Sequence, residues 1–483
     1  MQPTRRGRRL VAALIGTAAA TVAIVTAGPT AAAAAPGSGV IYHDPSPQQV
    51  ARYVAANAPT PYMGWSSWSM QSSNYPGLNP QGNYSWLTEQ HVLQQGTAMA
   101  STLKSHGYQY INIDAGWWRQ WDWTPEYDAY GRPAVDTARF PDGIGYVAKT
   151  LHAQGLKVGI YMPVGLEKGA YDNGNFPIYG APGCSTHDIV YPDLRTTNGW
   201  DSSYKIDFSN PCSQYYLDSI AREFAGWGID FLKLDGVGPG SFKSGPNYDN
   251  TSDVRAWATA LAGSGRNIRF ELSWSLNHAD VATWQQWSNG WRIDTDVECY
   301  CNTLVQWDHS VNQRFTDVLP WTADAGPGGW NDLDSLDVGN GTMDGLTDAE
   351  RQTYMTLWAI EGAPLYTGDD ITSLDSYGRS LLTNDEVIAV DQAGKPAHPV
   401  STATPQQVWS VRNRDGSYTV ALFNLDAAAA TVTANWADLG FSGPATVRDL
   451  WQHADVGLHA DSISAQLPAH GSMLVRVAPR HRG

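Results

Sequence analysis

The sequence is poor in charge, in cysteine and in phenylalanine. Only 16% of its 483 residues are charged, and acidic residues outnumber basic ones by 47 to 31, which gives a formal net charge of −16. Such a charge balance disfavours binding to nucleic acids and to anionic membrane surfaces. There are four cysteines, and no second Cys or His pair accompanies them at the spacing that zinc requires. The sequence therefore indicates neither a nucleic-acid partner nor a metal.

Two families of catalytic motif are also missing. No Gly-rich phosphate loop follows a predicted strand, since the Gly-rich run at 326–329 precedes one. The segments around Ser66 and Ser273 lack the pattern of a serine elbow. His152, His278 and His309 lie on predicted helices without paired ligand spacing, which favours surface or packing roles. A dehydrogenase, a kinase and a serine hydrolase are thereby disfavoured, and no cofactor is implied.

Tryptophan and tyrosine are abundant, at 21 and 23 residues, and 42% of the chain is hydrophobic. This composition is typical of a folded globular protein. Flat amphipathic rings stack on the apolar faces of sugars, but they also fill ordinary cores. Composition alone leaves both uses open.

The N-terminal 35 residues have the composition of a signal peptide. A basic segment at 5–9 precedes an apolar, Ala-rich run from Leu10 to about Val25, and small residues at 31–35 offer cleavage sites. A membrane anchor is disfavoured because the run is short and no stop-transfer charges follow. The twin arginines permit either a Sec or a Tat route. We expect a secreted protein with no membrane association once the signal is removed.

Export would place the four cysteines where disulfides persist. Cys184 and Cys212 flank one long loop and are candidates for a bridge. Cys299 and Cys301 are separated by one residue, so a bond between them is expected to be strained.

Between about residues 62 and 370, short apolar runs alternate with segments of helical periodicity. The predicted strands are 62–68, 108–116, 157–165, 231–238, 268–274, 291–298, 329–336 and 363–370. The predicted helices are 89–106, 144–154, 214–227, 253–261, 279–287, 304–317 and 348–361. A repeat of strand followed by helix predicts an α/β fold, the (β/α)8 TIM barrel, over residues 36–385.

After about residue 380 the pattern changes to short alternating strands. These are predicted at 407–411, 417–423, 430–436, 445–451 and 473–477, with a hairpin turn at Asp415-Gly416. We interpret residues 395–480 as a C-terminal antiparallel β-sandwich domain.

The predicted barrel strands end in acids and aromatic residues, and in this fold the carboxyl ends of the strands surround the active site. Retaining hydrolysis of a glycoside needs two carboxyl groups, one as nucleophile and one as acid/base. On strand 231–238, Lys233 and Asp235 lie on one face, so the ammonium could keep a nucleophilic carboxylate ionised. A buried structural ion pair is the alternative. An unpaired carboxylate is costly to bury, so packing alone does not explain why so many of the predicted barrel strands end in acids.

A second set of acids follows on two further strands. Arg292, Asp294 and Asp296 are expected to share one strand face, and Glu271 ends an adjacent strand. Three acids together with Lys233 and Arg292 favour a glycosidase. The long loop at 166–207 is expected to shape the pocket.

In order along the chain, these segments resemble glycoside hydrolase family 27, the α-galactosidases and melibiases of clan D. The matching segments are PYMGWSSW (61–68), YQYINID (108–114), FLKLD (231–235), WRIDTD (291–296), GPGGWNDLD with VGN (326–334 and 338–340) and APLYTGD (363–369). The resemblance covers about residues 61–477 and implies a retaining double displacement on an oligosaccharide or polysaccharide. It implies Asp235 as nucleophile and Asp296, not Asp294, as acid/base. The residues it implies for the sugar subsite are Trp65, Asp114, Tyr161, Lys233, Glu271 and Arg292.

One departure from the family pattern concerns specificity. Galactose-specific members carry two aspartates at the end of the second strand, which bind the 4- and 6-hydroxyls, whereas here Asp114 is followed by Ala115. The overall resemblance still makes an α-galactosidase the first hypothesis, and Ala115 is the reason to consider other sugars. A β-L-arabinopyranoside or an isomaltosyl end is the alternative substrate, and a non-catalytic carbohydrate-binding protein is the alternative of another class. The sequence leaves the oligomeric state open.

Overall fold

A computed structural model describes residues 44–238 and 243–480. The predicted signal peptide at 1–35 lies outside the described residues. Among those residues, no helix combines the length and the apolar character needed to cross a bilayer.

Eight short parallel strands, here called the first to eighth barrel strands, form the central sheet. They are Met63–Ser66, Tyr110–Ile113, Lys157–Pro163, Phe231–Asp235, Arg269–Leu272, Gly290–Arg292, Trp330–Asp332 and Leu365–Thr367. The first seven strands pair with their neighbours in chain order, and the eighth pairs with the first, which leaves the seventh and eighth strands at the two edges of the sheet. Beyond the seventh strand, the Leu336 amide donates to the Tyr366 carbonyl at 2.8 Å and joins the remaining two edges. The predicted TIM-like barrel is confirmed.

All seven predicted barrel helices are present, and a further helix, Pro47–Asn57, precedes the first strand. Six are α-helices: Glu89–Thr102, Ile144–Ala153, Pro211–Trp227, Thr251–Gly263, Val281–Trp287 and Asp348–Glu361. The last of these matches the predicted bounds because Thr347 and Glu350 form a capping box at its start and Gly362, with φ of 60°, ends it.

The sixth predicted helix, at 304–317, differs from its prediction. The segment predicted as one α-helix at 304–317 is a π-helix, Trp307–Asn312, followed by a single turn, Arg314–Asp317. Wider π turns often occur at functional sites. Here the segment carries His309 to the cavity at the carboxyl ends of the barrel strands that is described below. After the eighth strand, helices Ser376–Leu382 and Asp385–Gln392 complete the barrel domain, so its last helix runs past the expected boundary at residue 385.

The C-terminal domain consists of antiparallel strands in two sheets, as predicted. The six-stranded sheet contains His398–Ser401, Gln406–Arg412, Tyr418–Asn424, Ala445–Asp449, Ala454–His459 and Ser472–Pro479, and the two-stranded sheet pairs Ala430–Asn435 with Ser462–Leu467. Three of these eight strands, at 398–401, 454–459 and 462–467, escaped the sequence analysis. The strand at 454–459 is exposed along nearly its whole length, so it lacks the alternation of buried and exposed residues on which such a prediction depends.

The domain packs on the barrel helix Asp348–Glu361. Gln352 Nε2 donates to the Ser472 carbonyl at 2.9 Å, and Thr353 Oγ1 donates to the His470 carbonyl at 2.7 Å. Because these bonds satisfy buried backbone acceptors, they fix the two domains as one body.

Both disulfides lie close to the carboxyl ends of the barrel strands. Cys184–Cys212 ties the long loop at 166–207 to the start of helix Pro211–Trp227, with Cα atoms 5.5 Å apart, and confirms the expected bridge. Cys299 and Cys301 are also bonded, which the sequence argument disfavoured. The intervening Tyr300 has φ of 53°, and this left-handed turn brings the two Cα atoms within 5.2 Å, inside the usual range for a disulfide.

Candidate active site

A cavity of about 640 Å³ opens at the carboxyl ends of the barrel strands. Three acids line it: Asp235 at the end of the fourth strand, and Asp296 and Glu298 in the loop that follows the sixth. The other lining residues are Trp68, Tyr84, Ala115, Trp118, Arg119, Trp123, Tyr161, Pro163, Trp200, Ser202, Trp274, Thr295, Cys299, Tyr300, Gln306 and His309. The wall is thus mainly aromatic, with a few charged groups, as in pockets that bind sugars.

Asp235 is fixed by two donors. Tyr161 Oη donates to Asp235 Oδ2 at 2.8 Å, and the Gly236 amide donates to Oδ1 at 2.8 Å. Gly236 has φ of 72°, and a Cβ at that position would lie 2.6 Å from the Asn198 Cβ. Only glycine therefore fits the turn that aims Asp235 into the cavity.

Burial dominates the electrostatics of Asp235. It raises the pKa of this carboxyl above its ordinary value, the Lys233 ammonium lowers it in part, and the Asp296 carboxylate raises it again. The sequence argument credited Lys233 with keeping Asp235 ionised and did not count the cost of desolvation. Both carboxyls line the same cavity, so the charge of Asp296 acts on Asp235.

Lys233 makes its closest ion pair with Asp114, not with Asp235. Its Nζ donates to Asp114 Oδ2 at 2.9 Å. Burial opposes the charged ammonium, but the carboxylates of Asp114, Asp235 and Asp296 outweigh it and raise the pKa of Lys233. The buried Lys–Asp pair considered above thus exists, with a different partner, directly beneath the cavity.

Arg292 lies beneath Asp296 and contacts its carboxylate. Arg292 Nη2 lies 3.1 Å from Asp296 Oδ1, and its Nη1 is paired with Asp334. Burial opposes the charge on Arg292, yet Asp334 and Asp296 raise the pKa of the guanidinium well above its ordinary value. Arg292 therefore positions Asp296 from below the cavity.

The expected common face for Arg292, Asp294 and Asp296 is wrong, because the sixth strand ends at Arg292. From residue 293 the chain becomes a loop. Its Val297 amide donates to Oδ2 of Asp334, which follows the seventh strand, at 2.8 Å. In that loop Asp294 turns away and accepts from Gln313 Nε2 at 2.6 Å and Arg314 Nη1 at 2.5 Å. Only Asp296 of the two aspartates faces the cavity.

Two residues expected at the sugar subsite lie deeper in the barrel. Trp65 is 1% exposed and donates from Nε1 to the Asp369 carbonyl at 2.8 Å. Glu271 is 2% exposed, and neither of its carboxylate oxygens has a hydrogen-bond partner in the described part of the chain. Burial and then Asp332 raise the pKa of Glu271 well above its ordinary value. Of the eight residues predicted for the site, Asp235, Asp296 and Tyr161 line the cavity, whereas Asp114, Lys233 and Arg292 support that lining from below.

The aromatic wall is the feature that sequence reasoning missed. Trp68 stacks on Tyr84, with ring centroids 5.3 Å apart, and Tyr84 in turn packs on Trp123 at 4.7 Å. Trp200 and Ser202 come from the long loop at 166–207, as expected for a loop that shapes the pocket. The abundance of Trp and Tyr was the available signal, but it does not tell which rings face a cavity.

Three carboxylates near the cavity, Asp296, Glu298 and Asp334, place one oxygen each within 4.8 Å of one another. Arg292 contacts two of them. Its guanidinium already supplies the positive charge that a cation would bring to this cluster.

A barrel with two acids from different strands, set in an aromatic cavity at the carboxyl ends, is the architecture of a glycosidase. Comparison with known proteins agrees. The family model described as "Alpha galactosidase A" matches residues 60–202 and 201–393, and that of the "Alpha galactosidase C-terminal beta sandwich domain" matches 403–477. The chain belongs to this family, the α-galactosidase-like glycoside hydrolases of family 27.

Individual relatives are distant but span nearly the whole chain. The α-galactosidase of Cyamopsis tetragonoloba is 32% identical and covers 89% of this chain and 90% of its own length. The structure resembles a family 27 β-L-arabinopyranosidase from Geobacillus stearothermophilus, with a TM-score of 0.79, 29% identity and coverage of 89% and 99%. It also resembles α-galactosidase I from Mortierella vinacea, with a TM-score of 0.66, 27% identity and coverage of 88% and 98%.

Proposed function

We propose that this chain is an exported retaining glycosidase that removes terminal, non-reducing α-D-galactosyl residues. Asp235 is the nucleophile and Asp296 the acid/base. The observation that carries the proposal is that these two carboxyls face one aromatic cavity at the active end of the barrel. The α-galactosidase relatives support the choice of sugar.

In this mechanism Asp235 attacks the anomeric carbon while Asp296 donates its proton to the departing glycosidic oxygen. The sugar becomes an ester of Asp235. A water molecule, deprotonated by Asp296, then attacks the same carbon and releases the sugar with its original anomeric configuration. Tyr161 donates a hydrogen bond to Asp235 Oδ2, which aims the other carboxylate lone pairs into the cavity.

The first test is a hydrolysis screen on p-nitrophenyl glycosides, with NMR of the first-formed anomer. We expect cleavage of the α-galactoside with retention. An inverted first product would reject the double displacement. Sugar binding in calorimetry without hydrolysis of any glycoside would instead support a carbohydrate-binding protein.

A second candidate substrate is a β-L-arabinopyranoside. This sugar has the ring configuration of α-D-galactose but lacks its hydroxymethyl group. Ala115 lines the cavity where galactose-specific members place a second aspartate, so the group that would bind the 6-hydroxyl is missing. The Geobacillus neighbour acts on this substrate class according to its name. Including the arabinopyranoside and an isomaltosyl substrate in the screen separates the candidates.

Ala115→Asp should raise kcat/KM for the α-galactoside relative to the arabinopyranoside by about 10- to 100-fold. A hydrogen bond to a charged group contributes about 1.5–3 kcal/mol, and only galactose carries the 6-hydroxyl that can make it. The ratio of the two kcat/KM values measures the effect. Ala115→Val, which fills similar space without an acceptor, is the matched control and should not raise the ratio. An equal ratio in the Asp and Val variants would contradict the proposed contact.

Lys233→Met should move the acidic limb of the kcat/KM profile to higher pH. The ammonium lowers the pKa of Asp235, so its removal lets burial raise that pKa further. The nucleophile must be ionised; activity is therefore lost at a higher pH as the solution is acidified. A limb that stays in place while the melting temperature is retained would show that Lys233 does not act on Asp235.

Export of the protein remains a proposal based on the N-terminal 35 residues. Expression of the full chain in a bacterium with both Sec and Tat routes, followed by N-terminal sequencing of the extracellular protein, tests it. We expect a start near residue 36. A full-length product retained in the cytoplasm would contradict export.

A further inference from the structure

Tyr300 lies directly against the proposed acid/base. Its hydroxyl donates to Asp296 Oδ2, and it accepts from Trp68 Nε1 at 3.3 Å. Arg292 Nη2 contacts the opposite oxygen, Asp296 Oδ1, at 3.1 Å. With a donor on each oxygen, the carboxyl cannot rotate without breaking at least one contact.

The backbone around Tyr300 is closed into a tight turn. Cys299 and Cys301 are joined by a disulfide, and Tyr300 between them has φ of 53°, a conformation that tyrosine rarely adopts unaided. Asn74 anchors the turn from outside, because its amide donates to the Cys301 carbonyl at 2.7 Å and its Nδ2 donates to the Tyr300 carbonyl at 3.0 Å. The disulfide leaves the turn few other conformations.

We propose that Tyr300 is a positioning residue that aims the Asp296 carboxyl at the glycosidic oxygen, and that the Cys299–Cys301 disulfide holds it there. This inference rests on the proposed retaining glycosidase. A catalytic acid must meet the leaving oxygen within hydrogen-bond reach, and small errors in its direction lower the rate steeply.

Tyr300 can serve as a donor throughout the working pH range. Burial, followed by the negative charge of Asp296, raises the pKa of its phenol well above the ordinary value, so the hydroxyl stays protonated. The other groups that act electrostatically on Asp296, or lie beside it, are Arg292, Lys233, Asp235, Glu298, Asp334 and Tyr84. Removal of the Tyr300 hydroxyl leaves all of them in place, so a loss confined to the substrate whose leaving group needs a proton reports on this hydrogen bond.

An alternative role for Tyr300 is simple stacking. The residue is 45% exposed and lines the cavity, so its ring could pack against a bound sugar. Tyr300→Phe keeps the ring and removes only the hydroxyl. Stacking therefore survives in this variant, whereas positioning of Asp296 does not.

The test uses Tyr300→Phe with two substrates of the sugar that the screen identifies. A dinitrophenyl glycoside needs no proton for departure, whereas a disaccharide does. We expect kcat/KM to fall about 10-fold or more on the disaccharide and less than about 2-fold on the dinitrophenyl glycoside.

Tyr146→Phe is the matched control, because Tyr146 is equally exposed at 45% but lies on helix Ile144–Ala153, away from the cavity. It should leave both rates unchanged. Equal losses on the two substrates in Tyr300→Phe would overturn the positioning role. A wild-type enzyme that cleaves neither substrate would instead reject the proposed function itself, so the two failures are distinguishable.

The role of the disulfide is tested with Cys299→Ser/Cys301→Ser in the full chain. We expect a folded protein whose loss on the disaccharide exceeds its loss on the dinitrophenyl glycoside, in the same direction as Tyr300→Phe. Cys184→Ser/Cys212→Ser, which opens the bridge of the long loop, should keep the wild-type ratio of the two rates. A wild-type ratio in the folded Cys299→Ser/Cys301→Ser variant would overturn the part assigned to that disulfide.

Discussion

Replacement of Asp235 by asparagine should lower turnover by at least about 10⁴-fold on every glycoside that the enzyme cleaves. The amide has nearly the same shape: its oxygen can accept from the Gly236 amide and its NH2 group can donate to the Tyr161 hydroxyl oxygen, so the cavity should keep its form. What it lacks is the negative charge needed to attack the anomeric carbon. Because no ester can form, the loss should be equally severe for good and poor leaving groups.

Trapping with a 2-fluoro glycoside and mass spectrometry of the intact protein gives a second readout. The wild-type chain should gain the mass of one fluorosugar, and Asp235→Asn should gain none. Substrate binding by the variant in calorimetry is the control for a preserved cavity. A labelled peptide that contains another acid, with Asp235 unmodified, would contradict the assignment of the nucleophile.

Asp296→Ala should show the opposite dependence on the leaving group. Turnover of a disaccharide should fall by about 10²- to 10⁴-fold, because its departing alkoxide needs a proton, whereas formation of the sugar ester from a dinitrophenyl glycoside should be nearly unaffected. Release of the sugar should still be slow, since Asp296 also activates the water. A burst of dinitrophenol followed by a slow steady state is therefore expected in stopped-flow measurements.

Asp294→Asn is the control that the local structure offers for Asp296→Ala. Asp294 lies two residues away but accepts from Gln313 and Arg314 outside the cavity, and an asparagine can keep at least one of these bonds. Its activity should stay within a few-fold of wild type. Loss of acid catalysis in Asp294→Asn, with Asp296→Ala fully active, would exchange the roles of the two residues.

The parts of this protein that were predictable from sequence are those governed by local periodicity. Strand Phe231–Asp235 is a short apolar run that ends in an acid, and helix Asp348–Glu361 carries its own start and stop signals in Thr347, Glu350 and Gly362. Such signals fix which elements form and at which end of the barrel the acids gather. They made Asp235 a candidate, with a structural ion pair as the alternative, and the family resemblance implied its role as nucleophile.

The sequence did not predict in the same way which side chains reach the cavity and which lie beneath it in the barrel. Glu271 sits in register with Lys233 on the neighbouring strand, and the alternation of side chains gives both the same face. Whether such a residue reaches the cavity or stays in the layer beneath it depends on the stagger of the strands, which the pattern of one strand does not contain. The choice of Asp296 over Asp294 came from the family motif, because the strand that was thought to present them ends at Arg292.

The aromatic wall and the Tyr300 turn belong to loops, where periodicity carries no information. Trp123 and Trp200 come to the cavity from loops, and Tyr300 contacts Asp296 from a turn whose flanking cysteines bond across one residue. Spacing argued against that bond, since the spacing rule assumes an ordinary backbone and takes no account of a left-handed tyrosine.

The bridge between Cys184 and Cys212 anchors a segment that supplies Trp200 and Ser202 to the mouth of the cavity yet contributes no barrel strand. Substitutions in this segment can therefore remodel the cavity wall, but those at Asn198 and Trp200 would also reach the Gly236 turn that aims Asp235. In evolution and in protein engineering alike, changes in this loop can therefore alter the preference for the aglycone without a change in the barrel strands.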